Sequence, residues 1–342
     1  MTTIYGMLTS QGPIVHGGIP EYGSKRKKGE ALKFNRVSIS FPIEVDGSTR
    51  FDICRVPVVT GNSTRGQTRR PFILKTLQIL DPPQKSIHPE IIHFLAAGGG
   101  TGKDDTAVAD QFKFKQEIRR MLPFVNLLGG SLRGMFLKGA LIAGFVYPVV
   151  EETRWMLAET PFNYANDKFL TAEDLNTRLD ILRMTRRKTD DDFLTYTETE
   201  EMLDDIEENV EGNGDEEEVN REKGAIYSAE ALPAGIPLFT YFGIRCPDGI
   251  VEGALNAFVE TFVEMGTLGG YVAKGCGRVS CNFVYEDGNP FNKDKAAKYW
   301  QYLRDHKDEI KQFLKEGLKE YLKSSDKLRE EKKGKAKQKK GS

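Results

Sequence analysis

The amino-acid sequence predicts a mixed α+β protein, because strand-like segments lie near both ends of the chain and helical segments lie between them. Residues 3–15 alternate loosely between apolar and polar side chains, which is typical of a strand. Residues 249–265 carry an apolar stripe at helical spacing, and residues 279–285 form a last strand-like segment. A chain of 342 residues is long enough for one large or two ordinary domains with a substantial core.

The first half of the chain contains most of the predicted elements. The first strand ends in a glycine turn at residues 16–18, and a basic loop or hairpin tip follows at residues 20–36. Two strands are predicted at residues 36–43 and 51–59, joined by a turn at Asp46-Gly47. Helices are then predicted at residues 71–80, 88–97 and 110–122, and a core strand is predicted within residues 136–150.

Residues 56–72, with the sequence VPVVTGNSTRGQTRRPF, predict an anion-binding site. The first residues are β-branched and strand-like, and the chain then breaks at Gly61. Short side-chain oxygens and free backbone N–H groups follow, as at the start of a helix, on Asn62, Ser63 and Thr64.

Three arginines follow this helix start. Arg65 and Arg69 are four residues apart and therefore share a helical face, and Arg70 is next to them. Open amides and guanidinium groups at one point favour binding of an anion such as phosphate. An ordinary capped helix with a solvated basic face is the alternative.

Two patterns that resemble nucleotide-binding loops are rejected. Gly61 and Gly66 have the spacing of a Walker loop, but Gln67 stands where the lysine that meets the phosphates is required. In the second glycine-rich stretch, Ala97 takes the place of the first glycine and Asp104 replaces the hydroxyl residue that holds magnesium.

The net charge of −1 conceals a strongly uneven distribution. Residues 190–218 contain fifteen acidic residues and no Lys or Arg, so the rest of the chain carries about +14. The tail at residues 323–342 has nine basic and three acidic residues, which leaves about +8 on the remaining body. A basic body indicates a polyanionic partner.

The middle of the chain, residues 153–232, is expected to be an insertion that projects from the domain and is partly disordered in its acidic part. Its aromatic side chains either pack as a small satellite core or stack on nucleic-acid bases. The candidates for stacking are Trp155, Met156 and Phe162.

A glycine-rich loop follows the helix at residues 249–265. Residues 266–278 contain five glycines in thirteen positions, which lets the backbone approach a ligand closely. Lys274 and Arg278 are the flanking cations. Residues 293–323 are expected to form an amphipathic helix or helix pair, followed by a disordered basic tail.

The composition limits other functions. The four cysteines are widely spaced and form no Cys-x-x-Cys pair, and the four histidines show no metal-binding spacing beyond the pair His88 and His93, which is expected to lie on a helix surface. We therefore expect no metal and no cofactor. No signal peptide and no apolar run long enough for a bilayer is found, so a soluble cytoplasmic protein is expected.

Three segments together resemble the RAMP superfamily of CRISPR proteins. They are the first strand ending in His16-Gly17-Gly18, the element Val-Pro-Val-Val-Thr-Gly-Asn-Ser-Thr-Arg-Gly with a following arginine, and the glycine loop before the last strand. More closely, the chain is similar to the backbone subunits of the Cas seven family, and most to the type IV version. The resemblance covers about residues 3–283.

The resemblance implies a ferredoxin-like, RRM-like palm with inserted finger and thumb elements. The palm would comprise residues 1–150 and 233–290, with the finger loop at residues 20–36, a thumb-like and acidic insertion at 151–232, a helical segment at 291–322 and the basic tail. The implied partners are guide RNA, target nucleic acid by base pairing, further copies in a head-to-tail filament and other effector subunits, but no membrane. The RNA-binding residues would be His16, Lys25, Arg26, Lys27, Lys28, Arg36, Asn62, Ser63, Thr64, Arg65, Arg69, Arg70, Arg133, Gly269, Gly270, Lys274 and Arg278.

The resemblance does not imply catalysis by this chain. Type III relatives that cut target RNA use an aspartate in the loop after the first strand, and residues 17–45 contain none. A RAMP endoribonuclease that processes guide precursors is the alternative. Its candidate constellation is His16 beside Lys25 and Lys28. A purely protein-binding scaffold is a third possibility.

Overall fold

A computed structural model describes residues 1–17, 32–100, 111–162, 168–175, 177–183, 225–245 and 248–323. The predicted RNA contacts at Lys25, Arg26, Lys27 and Lys28 lie outside the described residues, as do the acidic tract and the tail after residue 323.

The described residues form both strands and helices. The strands are β1 (Thr2–Ser10), β2 (Arg36–Val45), β3 (Ser48–Pro57), β4 (Gly130–Leu132), β5 (Met135–Leu137), β6 (Leu141–Ala143), β7 (Tyr147–Pro148), β8 (Thr177–Arg183), β9 (Ala225–Ala231), β10 (Pro237–Ile244) and β11 (Val279–Tyr285). The helices are α1 (Gly61–Leu80), α2 (Pro89–Ala97), α3 (Gln111–Met121), α4 (Pro123–Leu128), α5 (Gly249–Met265), α6 (Asp294–Asp305) and α7 (Lys307–Gln312).

The central sheet has the strand order β11–β1–β10–β6, and β7 also pairs with β10. All of these pairs are antiparallel. Along the chain, the sheet strands and two helices follow the order β1, α1, β6 with β7, β10, α5 and β11. This is the β-α-β-β-α-β order of a ferredoxin-like fold. The predicted α+β class with a ferredoxin-like palm is confirmed.

The main core lies between this sheet and the helices α1 and α5. Successive side chains of a strand point to opposite faces, so Phe242 of β10 points toward the helices while its neighbours do not. The ring of Phe242 lies 5.6 Å from the rings of both Phe258 and Phe262 on α5, measured between centroids. Phe72 of α1 contacts Phe258 at 5.7 Å, so aromatic packing joins both helices to the sheet.

A smaller apolar cluster covers part of the opposite, helix-free face of the sheet. Met7 and Phe239 contribute from the sheet, and Val149, Leu157 and Phe162 contribute from the segment after β7. The beginning of the predicted insertion therefore packs on the palm as a satellite core.

Two hairpins project from the palm. β2 and β3 pair in register, and the two-residue turn at Asp46 and Gly47 has φ of 52° and 72°. Positive φ at both positions is the geometry of a type I′ turn, so the predicted hairpin is confirmed. β8 and β9 pair antiparallel as the second hairpin, and the acidic tract lies between these two strands in the sequence.

One expectation for the elements needs correction. Residues 136–150 do not form one core strand. They form the short strands β5, β6 and β7, and Gly139 and Gly144 lie in the breaks between them.

Candidate nucleic-acid interface

The start of α1 is anchored to the sheet. Val59 pairs with Val146 through two backbone hydrogen bonds of 3.1 and 2.8 Å. Thr60 then caps the helix, because its Oγ1 accepts from the backbone N–H of Ser63 at 3.2 Å. From the sequence, the capping side chains were expected two to four positions later, within Asn62 to Thr64. Thr60 was missed because several residues here are equally good caps.

The first turn of α1 leaves open backbone donors. Within the part of the chain that the structure describes, the N–H groups of Gly61 and Asn62 have no hydrogen-bond partner. The first turn contains no acidic residue, so no side chain competes with an anion there. Asn62 is exposed, and its Oδ1 accepts from Nη2 of Arg65 at 2.7 Å. This end of the helix can therefore receive an anion.

His16 lies against the same helix start. Its Nε2 accepts a hydrogen bond from the backbone N–H of Thr60 at 3.4 Å, and its ring meets Phe34 edge-on at 6.0 Å between centroids. Burial lowers the pKa of His16, which favours the neutral ring that this contact requires.

The glycine loop reaches α1 through Gln67. The backbone N–H of Gly269 donates to Oε1 of Gln67 at 3.1 Å, and Nε2 of Gln67 donates to the carbonyl oxygen of Gly269. Gly270 pairs with Val15, the residue before His16. Gly269 has φ of 83°, and a Cβ there would collide with the carbonyl oxygen of Val15, so only glycine suits this crossing. Gln67 thus joins segments about 200 positions apart. In the sequence, Gln67 is notable only because it stands where a Walker loop requires lysine.

The arginines of α1 have different environments. Arg65 and Arg70 keep exposed surface. Arg69 does not share this exposure: its side chain is 7% exposed, and its Nη2 donates to the carbonyl oxygen of Gly129. Burial, with a smaller effect of Arg65, lowers the pKa of Arg69 to about 10. The expected basic face of two arginines is therefore reduced to Arg65, because the loop at Gly129 covers Arg69.

The remaining predicted contacts fall into two groups. Lys274 and Arg278 are exposed at the end of the glycine loop. Arg36 forms an ion pair with Glu230 at 3.4 Å. Arg133 binds Glu90 through two hydrogen bonds, one of 2.6 Å, and donates to the carbonyl oxygen of Leu322 at 3.1 Å. Arg36 and Arg133 therefore hold other parts of the fold together, whereas Lys274 and Arg278 face solvent.

The stacking candidates also separate. Phe162 is only 8% exposed and belongs to the satellite cluster, and Met156 packs against the main core. Trp155 is exposed. Among the described residues, no group of three or more metal-ligating side chains occurs, and no helix is long and apolar enough to cross a membrane.

Comparison with known proteins adds a structural likeness. No protein-family model matches the chain, and no curated protein matches it. A solved chain described as "Type IV-B CRISPR Complex" is similar over 82% of this chain and 90% of its own length, with a TM-score of 0.47 and 19% sequence identity. A likeness at this level does not by itself indicate a function. We therefore infer the function from the arrangement of His16, the start of α1 and the glycine loop.

Proposed function

We propose that this chain is a guide-RNA-binding backbone subunit of a type IV-like CRISPR effector complex. It binds RNA, oligomerises along it and presents it for base pairing to a target, without catalysis. The observation that carries the proposal is the convergence of the three segments on which the family resemblance rests. His16 contacts Thr60, Gln67 holds Gly269, and Val15 pairs with Gly270.

The chemistry at this convergence suits a nucleic-acid backbone. Open amides at the start of α1 and the Arg65 guanidinium are donors for phosphate oxygens and carry no sequence preference. In RNA-guided systems, base pairing supplies the sequence specificity. A subunit that holds phosphates in this way can bind any guide.

The family resemblance implies a thumb-like element that interrupts guide–target pairing, and the β2–β3 hairpin is a second candidate for it beside Trp155, Met156 and Phe162. Phe51 and Ile53 on β3 are 71% and 69% exposed, whereas Phe162 of the original stacking candidates is buried. Apolar side chains that project into solvent are suited to insertion between base pairs.

The endoribonuclease alternative is less well supported. Its candidate His16 uses Nε2 as an acceptor for the Thr60 amide, and burial lowers its pKa, which disfavours a protonated general acid. Lys25 and Lys28 lie outside the described residues.

Light scattering of the protein on guides of increasing length tests the proposal. We expect the mass to rise in steps of one protomer as the guide lengthens, and a nuclease-treated sample to shift to smaller species. A fixed stoichiometry on guides of very different length would contradict it.

Metal-free incubation with repeat RNA is the companion assay. Cleavage that His16→Ala abolishes would establish the endoribonuclease instead, and a purified protein without nucleic-acid absorbance or RNA affinity would indicate a protein scaffold.

A further inference from the structure

Helix α3 and the end of β5 form a basic surface outside the three segments of the candidate RNA site. Phe112 and Arg119 are seven positions apart, as are Lys113 and Arg120, so these four residues lie on the exposed side of α3. Nη2 of Arg119 donates to the carbonyl oxygen of Lys138 at 3.4 Å, which joins the end of β5 to this side of the helix. The name basic α3 surface is used below for Phe112, Lys113, Arg119, Arg120, Phe136 and Lys138.

The other side of α3 fixes the helix to the core. The ring of Phe114 stacks on the ring of Tyr321 at 4.6 Å between centroids, and Ile118 is fully buried. Lys323, the last described residue, is exposed and follows Tyr321 by two positions. The tail at residues 323–342, with nine basic and three acidic residues, therefore begins beside α3 and adds positive charge there.

The cations of the basic α3 surface have no counter-charge within the described part of the chain. All four are exposed, and no ion pair there involves Lys113, Arg119, Arg120 or Lys138. Two aromatic rings lie on the same surface, because Phe112 is 72% exposed and Phe136 is 63% exposed. A surface that combines unpaired cations with large exposed rings suits a partner that is both acidic and apolar.

The chain itself contains a segment with this composition. Residues 190–218 hold fifteen acidic residues and no Lys or Arg, and the name acidic tract is kept for them. Apolar side chains recur within the tract every four positions, at Met202, Ile206 and Val210. Its carboxylates complement the cations of the basic α3 surface, and its apolar side chains complement the two rings. Every copy of the chain supplies one tract for each surface.

The acidic tract and the basic α3 surface are attached to different elements of the fold. The tract follows the outer end of the β8–β9 hairpin, where Arg183 pairs with Ala225. The base of the hairpin lies about 20 Å away along the strand, where Ala231 belongs to one apolar cluster with Cys276 of the glycine loop. Helix α3 packs instead against α4 and Tyr321. Two complementary patches at different places on one chain give a heterologous contact, which can propagate from copy to copy.

From this complementarity we propose that the acidic tract of one copy docks on the basic α3 surface of a neighbouring copy. The partner is a second copy of this chain, and the contact is electrostatic and heterologous. It forms without RNA, so this inference does not rest on the proposed RNA-binding function. It gives the acidic tract a role in joining successive copies.

Sedimentation velocity of the nuclease-treated, full-length protein tests the contact. We expect the wild-type protein to self-associate at low salt and to dissociate at high salt. Arg119→Gln combined with Arg120→Gln should weaken self-association about tenfold, since two exposed ion pairs are lost. The matched control is Arg245→Gln combined with Lys298→Gln, which removes two exposed cations elsewhere and should leave self-association unchanged.

A second variant and a mixing experiment identify the partner. In the tract variant, the acidic residues within positions 198–208 are changed to amides (Glu→Gln and Asp→Asn), and its self-association should weaken in the same way. A mixture of the tract variant with the Arg119 and Arg120 variant restores one of the two possible interfaces. We therefore expect dimers and no larger species in the mixture, which also shows that both variants are folded.

Several outcomes overturn the inference. A mixture that contains only monomers indicates that the tract binds the surface of its own chain. Unchanged self-association of the Arg119 and Arg120 variant, together with a smaller salt dependence of its RNA affinity, makes the basic α3 surface an RNA contact instead. A wild-type protein that stays monomeric at low salt also overturns the inference. RNA binding by that monomer would leave the proposed function intact, so the two proposals fail separately.

Discussion

Removal of the contact between Gln67 and the glycine loop is the most direct test of how the site is assembled. Gln67→Met keeps most of the side-chain volume and removes both hydrogen bonds to the backbone of Gly269. Each such bond contributes a net of about 0.5–1.5 kcal/mol, so we expect a loss of about 1–3 kcal/mol in the free energy of unfolding. The upper part of this range is favoured because Gly269 is buried and its polar groups would be left unpaired.

Urea denaturation monitors this loss, and Gln78→Met is the matched control. Gln78 lies on the same helix and is exposed, and its side chain makes no hydrogen bond within the described part of the chain. We expect the control to change stability by less than about 0.5 kcal/mol, as exposed substitutions usually do. RNA affinity should fall for Gln67→Met and stay constant for Gln78→Met. An unchanged urea midpoint for Gln67→Met would refute the view that this contact holds the glycine loop on α1.

Other predictions concern the charged groups around the site. Arg65→Ala should lower the slope of log affinity against log salt concentration by about 0.7, which is the value of one phosphate contact to a single strand. Arg69→Met should leave this slope unchanged because Arg69 is buried. Equal slopes for the two variants would contradict this distinction. Lys274→Ala should weaken RNA binding without a change in the midpoint of thermal unfolding, since its side chain is exposed, and a lower midpoint would instead indicate a structural role. Because burial lowers the pKa of His16 below its ordinary 6.5, its contribution to stability is complete above pH 6.5 and is lost as the pH falls through the lowered folded value. His16→Gln should therefore flatten the fall in stability below pH 6.5. The remaining slope should include a contribution from His93, whose pKa is also lowered, mainly by burial and further by Arg70. A variant with the wild-type slope would show that His16 does not contribute to this pH dependence.

The sequence predicted the local elements because their signals are short-range. The Asp46-Gly47 turn, the helix at Gly249–Met265 and the strand at Val279–Tyr285 were all expected, and each depends on residues adjacent in the chain. The single strand expected within residues 136–150 was wrong because an apolar run does not reveal where sheet pairing stops at a glycine. Its three short strands depend on β10 and β4 as partners.

The sequence also determined which segments belong to the candidate site, through residues that resemble a known family. It did not determine which of their side chains are accessible. Arg65 and Arg69 are equivalent by helical spacing, yet only Arg69 is covered, since the loop at Gly129 comes from elsewhere in the chain. Gln67 bridges α1 and the glycine loop only because the loop packs against α1 in the folded protein. Burial and contacts between distant segments depend on the tertiary packing of the whole palm, so the structure alone decided them.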